Sequence, residues 1–169
     1  MTKDLQIVGF RVGNETFGVP IQSVHEIVRM MDITNVPDAP IYIEGVINLR
    51  GKIIPVVDLR KRFGEKEIKP SKKNRILVAE IGAKMVGLVV DAASEVLKLP
   101  PADVDPPPNV FEEGDLNYVT GVGKLGGRLV ILVELSKIMQ RGELRRLGEM
   151  VDSTGVSQTG SLKSGASAS

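Results

Sequence analysis

Short apolar runs separated by turn residues set the pattern of this chain. Residues 5–12 and 17–19 flank Gly13-Asn14, and residues 46–49 and 53–57 flank Arg50-Gly51-Lys52. Residues 75–81 and 85–90 flank Gly82-Ala83, and residues 119–122 and 129–133 flank a glycine-rich turn. Arms rich in Val, Ile and Leu, joined by residues that accept φ > 0, predict four β-hairpins and a mainly antiparallel β fold. Helical spacing is confined to two short pieces. Pro20 suits a first helical turn, and Ile21, Val24, Ile27 and Val28 share one face of a predicted helix ending near Met30. A second helix is predicted from about Ser136, carrying Ile138 and Met139, with Gly142 weakening its middle.

The pattern repeats. At an offset of 69, Gly13, Gly18, Glu26, Ile27 and Val28 fall on Gly82, Gly87, Glu95, Val96 and Leu97. At an offset of 76, Gly45-Val46 falls on Gly121-Val122 and Gly51 on Gly127, and residues 53–61 then run against residues 129–137 without a gap. Small residues meet small residues at turns, and apolar meet apolar in strands, as two copies of one backbone require. The expectation is one domain over residues 1–150, made of two similar β units centred on about residues 13–63 and 75–139. Short strands with regular turns suit units that close as small barrels and so bury their edges. Residues 151–169 are rich in Ser, Gly and Thr and cannot bury enough apolar surface to offset their ordering entropy, so a disordered tail is expected.

Composition narrows the function classes. The chain has 169 residues, no cysteine and one histidine, His25, which removes thiolate catalysis, Cys-based metal sites and multi-histidine centres. Neither a cofactor nor a metal is expected. The balance of 22 Lys+Arg against 21 Asp+Glu leaves no global field for nucleic acid or an acidic membrane. The start shows no signal peptide and no apolar stretch approaches the ~20 residues that span a bilayer, so a cytoplasmic protein is expected. Charge is uneven locally, with eight basic residues between Arg60 and Arg75, and five acids with no base from Asp103 to Asp115.

Most candidate chemistry has a plainer reading. Gly121-x-Gly123-x-x-Gly126 matches a dinucleotide fingerprint, but residues 128–133 read as a strand where the phosphate-binding helix should begin. His25 has no nucleophile motif to serve. Asp58 and Asp91 each end an apolar strand, where a carboxylate caps a turn more simply than it binds a hard cation. The basic 60–75 segment, a route to nucleic-acid binding as the alternative function, has only Phe63 to stack a base on. The 44–59 hairpin is different. Its tip carries Asn48, Arg50 and Lys52, and neither a buried strand nor a tight turn asks for an arginine, whereas a protein contact does.

That hairpin, Gly45-Val46-Ile47-Asn48-Leu49-Arg50-Gly51 followed by Ile53-Ile54-Pro55-Val56-Val57-Asp58-Leu59, resembles the signature of the CheW family of bacterial chemotaxis coupling proteins. The likeness extends to Phe17-Gly18-Val19-Pro20-Ile21 with Val24-His25-Glu26-Ile27, to Val86-Gly87-Leu88-Val89-Val90-Asp91, and to Tyr118-Val119-Thr120-Gly121-Val122-Gly123, covering residues 5–140. It implies a CheW-like fold, mainly β, of two five-stranded SH3-like β-barrel subdomains with short helices. It implies a non-enzymatic adaptor that joins methyl-accepting chemotaxis receptor tips to the regulatory domain of the histidine kinase CheA, recruited from the cytoplasm to membrane-receptor arrays. By position, Val24, Glu26, Asn48, Leu49, Arg50 and Val96 match receptor- and kinase-contact surfaces of the family. Val24 and Val96 are then apolar receptor-facing residues, and Glu26 pairs with Arg50 or with a partner base. A second kinase contact in relatives uses the loop before the Tyr118 strand, here residues 105–111, with Val110 as the candidate.

Overall fold

The computed structural model describes residues 3–65, 67–107 and 117–139. Four hairpins form where the turn signals place them: β1 (Leu5–Val12) with β2 (Glu15–Pro20), β4 (Ile43–Leu49) with β5 (Lys52–Asp58), β6 (Arg75–Ile81) with β7 (Lys84–Val90), and β10 (Val119–Leu125) with β11 (Arg128–Val133). Three further strands are β3 (Val24–Arg29), β8 (Ala92–Leu99) and the two-residue β9 (Val104–Asp105). Two four-residue helices, α1 (Leu59–Arg62) and α2 (Leu135–Ile138), follow β5 and β11.

The predicted helix ending near Met30 does not form. Residues 21–23 make one 3-10 turn and residues 24–29 are β3, paired with β6. A register shift between Val24 and Glu26 explains the misleading spacing. A bulge adds one residue, so Val24 and Ile27, three apart, both pack on the central core as if they shared a helix face. The β-branched Val24, Ile27 and Val28 also fit a strand better than a short helix. α2 begins at Leu135, one residue before Ser136, and Met139 is already extended, while Gly142 lies outside the described residues.

The strands form two sheets. One has the order β8-β1-β2-β11-β10-β9, the other β3-β6-β7-β5-β4. Neighbours are antiparallel except β2 with β11 and β5 with β7. The sequence offsets map β1–β3 onto β6–β8 and β4–β5 onto β10–β11. Neither sheet therefore coincides with one sequence repeat. Each takes the opening hairpin of one copy and the later strands of the other, because the 3-10 turn after β2 and the single residue Asp91 after β7 carry the chain across.

The expectation of two closed five-stranded barrels is corrected here: among the described residues the sheets have six and five strands, and neither ladder closes. The five-stranded sheet ends on β3 and β4, and an isolated bridge between Thr34 and Val46, with N–O distances of 2.8 and 2.9 Å, spans part of the gap. Its counterpart in the larger sheet is β9, where Asp105 faces Val122, the repeat partner of Val46. Backbones approach so closely at the first bridge that only glycine fits at residue 45. Gly45 has φ +148, and a Cβ there would lie 2.2 Å from the Thr34 carbonyl oxygen.

Three clusters make up the interior. The central one lies between the sheets and joins Val8, Phe10 and Val19 to Leu77, Leu88 and Val90. Each sheet also curls over a smaller cluster of its own, Ile47, Ile54, Val56 and Ile76 in one and Ile7, Leu97, Val130 and Leu132 in the other. Pairs such as Ile76 and Ile7, or Val56 and Leu132, are repeat equivalents. The central cluster breaks this symmetry through an aromatic column, Phe10–Phe17–Phe63–Tyr118, with ring centroids 4.8–5.7 Å apart. Ala79 and Val86 stand where the repeat would place partners for Phe10 and Phe17. The two copies thus fill the core unequally, large rings from one against small side chains from the other.

A buried ion network ties the sheets together. Arg60 donates to both Asp58 oxygens, from Nε at 3.0 Å and from Nη2 at 2.9 Å, and to Asp91 and Asn74 from Nη1 at 3.4 Å. Asp91 accepts the Gly13 N–H of the β1–β2 turn at 2.7 Å, so the network reaches from the smaller sheet to the larger. Hydrogen bonding to Asp58 holds the Arg60 guanidinium above its already high ordinary pKa, outweighing the burial that opposes its charge. Asp58 also caps α1 by accepting from the Arg60 N–H, which is the capping role expected of it.

Candidate functional site

The β4–β5 turn is a two-residue connection with positive φ at both centres, Arg50 at φ 51 and Gly51 at φ 89. Such turns match the twist of the strands they join, and they ordinarily take Asn, Asp or Gly. In the repeat the same positions are Gly126 and Gly127, at φ 56 and 81. The backbone is thus the same in both copies, but the first places an arginine where the second keeps glycine. A non-glycine residue in this region carries a penalty of about 1–2 kcal/mol. Asn48 Oδ1 accepts the Gly51 N–H at 2.8 Å and holds the turn in shape.

The Arg50 side chain is 67% exposed and makes a hydrogen-bonded ion pair with Glu26, whose side chain is 25% exposed. Glu26 sits on β3 and Arg50 beyond β4, the two strands that end the smaller sheet, so the pair spans the opening that its ladder leaves. Beneath it lies a groove of about 250 Å³, lined by Leu49, Ile54, Met85, Lys52 and His25. His25 is exposed, with Nε2 3.8 Å from the same Glu26 carboxylate.

The structure therefore brings together Glu26, Asn48, Leu49 and Arg50, four of the residues singled out in the sequence. They differ in kind. Leu49 is 8% exposed and belongs to the core of the smaller sheet, so it supports the turn from below. Val24 begins the same strand as Glu26 and packs half-buried on the central core. Val96 stands apart on β8 of the larger sheet, 52% exposed. Val110 lies outside the described residues, as does the tail 151–169.

Other candidates resolve into structure. Gly121 and Gly123 lie in β10 and Gly126 in its turn, and β11 begins where a nucleotide-binding helix would have to start. Four of the eight basic residues in the 60–75 segment are engaged within the fold. Arg60 is buried in its network, Lys61 pairs with Glu44 at 2.7 Å, Arg62 donates to the Ile138 carbonyl, and Arg75 donates to the Lys72 and Asn74 carbonyls. Asp58 and Asp91, read separately from the sequence, converge on Arg60. The available signal was Asp58-x-Arg60 at the end of a strand, echoed by Glu134-x-Ser136, where the Ser136 hydroxyl donates to Glu134 at 3.1 Å. No group of three or more metal-ligating side chains occurs among the described residues, and no described helix is long and apolar enough to cross a membrane.

A β frame with a strained, charged turn at one opening is the shape of an interaction module. Residues 6–143 match the sequence model of the CheW-like domain. Among curated proteins, the chain is 38% identical over 138 residues to the chemotaxis protein CheW of Rhizobium meliloti, covering 82% of this chain and 89% of that one. It is 35% identical to the CheW of Helicobacter pylori, covering 81% and 82%, and 31% identical to protein FrzA of Myxococcus xanthus, covering 80% and 86%. Among solved structures, the scaffolding protein TtCheW from Thermoanaerobacter tengcongensis superposes with a TM-score of 0.73 at 39% identity, covering 83% of this chain and 90% of that one. The chain belongs to the CheW-like family, and its role is that of a chemotaxis scaffold and adaptor, not an enzyme.

Proposed function

We propose that this scaffold couples methyl-accepting chemotaxis receptors to the histidine kinase CheA, working at receptor arrays, and that the face around the β4–β5 turn makes one of its contacts. The observation that carries the reading is Arg50. Its backbone conformation is one that glycine adopts freely, and the repeat uses glycine there. An arginine retained against a conformational penalty, and not buried, points to work done by its side chain on another molecule. Glu26 offers the opposite charge beside it, and Val24 and Val96 supply apolar surface on the two sheets. A modest adaptor interface needs that set: apolar anchors, a charge that loses water on contact, and a polar rim.

The test is reconstitution of the chain with a receptor cytoplasmic fragment and full-length CheA, with kinase activation as the readout. Arg50→Glu is expected to stay folded and to lose activation. Unchanged activation by the folded variant would overturn the assignment of this face.

A further inference from the structure

The chain crosses between the sheets at two equivalent places, and only one of them is pinned by charge. β7 ends at Val90 on the smaller sheet and β8 begins at Ala92 on the larger, so Asp91 alone carries the chain over. Its N–H donates to the Arg11 carbonyl at 3.0 Å, and its own carbonyl accepts from Asn74 Nδ2 at 3.1 Å. Its carboxylate accepts from the Gly13 N–H at 2.7 Å and from Arg60 Nη1 at 3.4 Å. Main chain and side chain are thus held from both sheets at a single residue. The other crossing is the 3-10 turn Ile21–Ser23. There the repeat puts Gln22 in the place of Asp91 and Ser136 in that of Arg60. Gln22 is exposed and makes no side-chain hydrogen bond among the described residues, and the Ser136 hydroxyl donates to Glu134 in its own turn.

The second crossing forms without ions, so the backbone does not require them at the first. Stability does not ask for them either. Drawing Asp58 and Arg60 out of water offsets much of their attraction, and apolar side chains of similar size often serve as well. What a buried, hydrogen-bonded charge group supplies is one geometry, because any other placement leaves a charge without its partner. The geometry at stake spans both sheets. Glu26 and Arg50 belong to the smaller sheet, on β3 and in the β4–β5 turn, whereas Val96 follows Asp91 on β8 of the larger. The hairpin that carries Arg50 ends at Asp58, whose carboxylate holds Arg60. The direction in which β8 leaves the smaller sheet is therefore tied, through Asp91 and Arg60, to the hairpin that presents Arg50.

We propose that Asp91 and Arg60 are positioning residues for coupling: they hold the two sheets at the one angle at which Val96 and the Glu26–Arg50 pair act together. This rests on the reading that the chain couples receptors to the kinase. Arg60 is buried and the Asp91 carboxylate is occupied within the fold, so both act through the frame and not by touching a partner. A frame that is not set in advance has to be ordered as the complex assembles, at the expense of the interaction itself. Contacts made one at a time suffer little from this, but contacts that must be made together depend on geometry and are lost when the geometry fails. Kinase activation in the assembled complex therefore depends on the Asp91–Arg60 junction far more than binding to either protein alone.

Two variants of the full chain test this. Asp91→Asn leaves one acceptor oxygen where the Gly13 N–H and Arg60 now have two. Arg60→Met with Asp58→Leu replaces the buried pair by apolar side chains and leaves nothing to hold Asp91 from the smaller sheet. The chain has no cysteine, so spin labels on Glu80→Cys and Lys98→Cys, exposed positions on β6 and β8, report the separation of the sheets by electron–electron resonance. Melting temperature, binding to a receptor cytoplasmic fragment and to full-length CheA separately, and kinase activation in the reconstituted complex are measured beside it. The expected result is a broader distance distribution in both folded variants and a loss of activation of about tenfold or more, with each separate affinity changed less than about threefold. An unchanged distribution overturns the proposal, as does full activation with a broadened one. So does a loss of separate binding as large as the loss of activation, or unfolding of both variants, which would make the junction a requirement of the fold. A wild-type chain that binds neither protein refutes the coupling reading itself, which separates the two failures.

Discussion

Replacing Arg50 by glycine separates the cost of the turn from the use of the side chain. The substitution copies Gly126, so the backbone it asks for already exists in the same molecule. Relief of the left-handed conformation favours the variant by about 1–2 kcal/mol. Against this, glycine gains freedom in the unfolded chain, which costs about 0.5–1 kcal/mol. The Glu26 ion pair also goes, but Arg50 is 67% exposed and Glu26 25%, so solvent screening limits that loss to about 0.2–1 kcal/mol. The sum lies within about 1 kcal/mol of zero, a shift of no more than about 4 °C in melting temperature for a domain of this size. Binding should behave differently. Removal of a charge that loses water on contact typically costs about 2–5 kcal/mol, or at least about thirtyfold in affinity. The assays are thermal unfolding by circular dichroism and kinase activation in the reconstituted receptor complex. A variant that melts far below wild type would show that Arg50 holds the fold. One that activates normally would show that the side chain does nothing for the partner. Either result refutes the reasoning.

Three further outcomes rest on the frame. Arg60→Met leaves Asp58 buried at 3% exposure without its partner and should lose about 3–5 kcal/mol in denaturant unfolding, with Asp58→Leu added to it restoring much of the loss. Gly45→Ala combines φ +148 with a carbonyl oxygen 2.2 Å from the new Cβ and should cost about 3 kcal/mol or more, while Gly51→Ala, with open space around it, should cost only about 1 kcal/mol by the same measurement. Burial pushes the Tyr118 phenol above its ordinary 10.0, opposed by the nearby Arg62 charge. Folding then favours the neutral phenol, so this contribution is complete below pH 10 and is lost as the pH rises through the folded value. Tyr118→Phe should flatten the decline of stability above about pH 10, read from unfolding midpoints against wild type.

The hairpins were legible because each is a local event. Residues 75–81 alternate little and end at Gly82-Ala83, and β6 occupies those residues. β3 and β8 were not legible, for a shared reason. Each carries a bulge where it pairs with its neighbour, between Val24 and Glu26 in one and opposite Gly9 and Phe10 in the other. A bulge breaks the period of two on which strand reading depends, and in β3 it imitates helical spacing. Sheet membership was hidden for another reason. The exchange of hairpins between the repeats is settled by pairings such as Val8 with Val96, far apart in sequence, which no local pattern encodes. Of the site, Arg50 was found because a turn has no structural need for arginine, and Glu26 through the family resemblance alone.

The two-fold frame and its uneven decoration bear directly on what a coupler must do. Two copies of one backbone, exchanged between two sheets, would by themselves present two equal faces and bind one kind of partner twice. A scaffold that joins different proteins needs faces that discriminate, and discrimination is a difference of affinities set as much by misplaced charge as by good contacts. Among the substitutions that separate the two copies are Arg50 against Gly126, Lys52 against Arg128, Met85 against Thr16 and Arg11 against Glu80. The aromatic column and the Arg60 network break symmetry inside and lock the sheets into one body, with Gly13 of one held to Asp91 at the edge of the other. On the proposed coupling role, an interior locked in this way would hold two partners at a set angle to one another without either having to organise the frame.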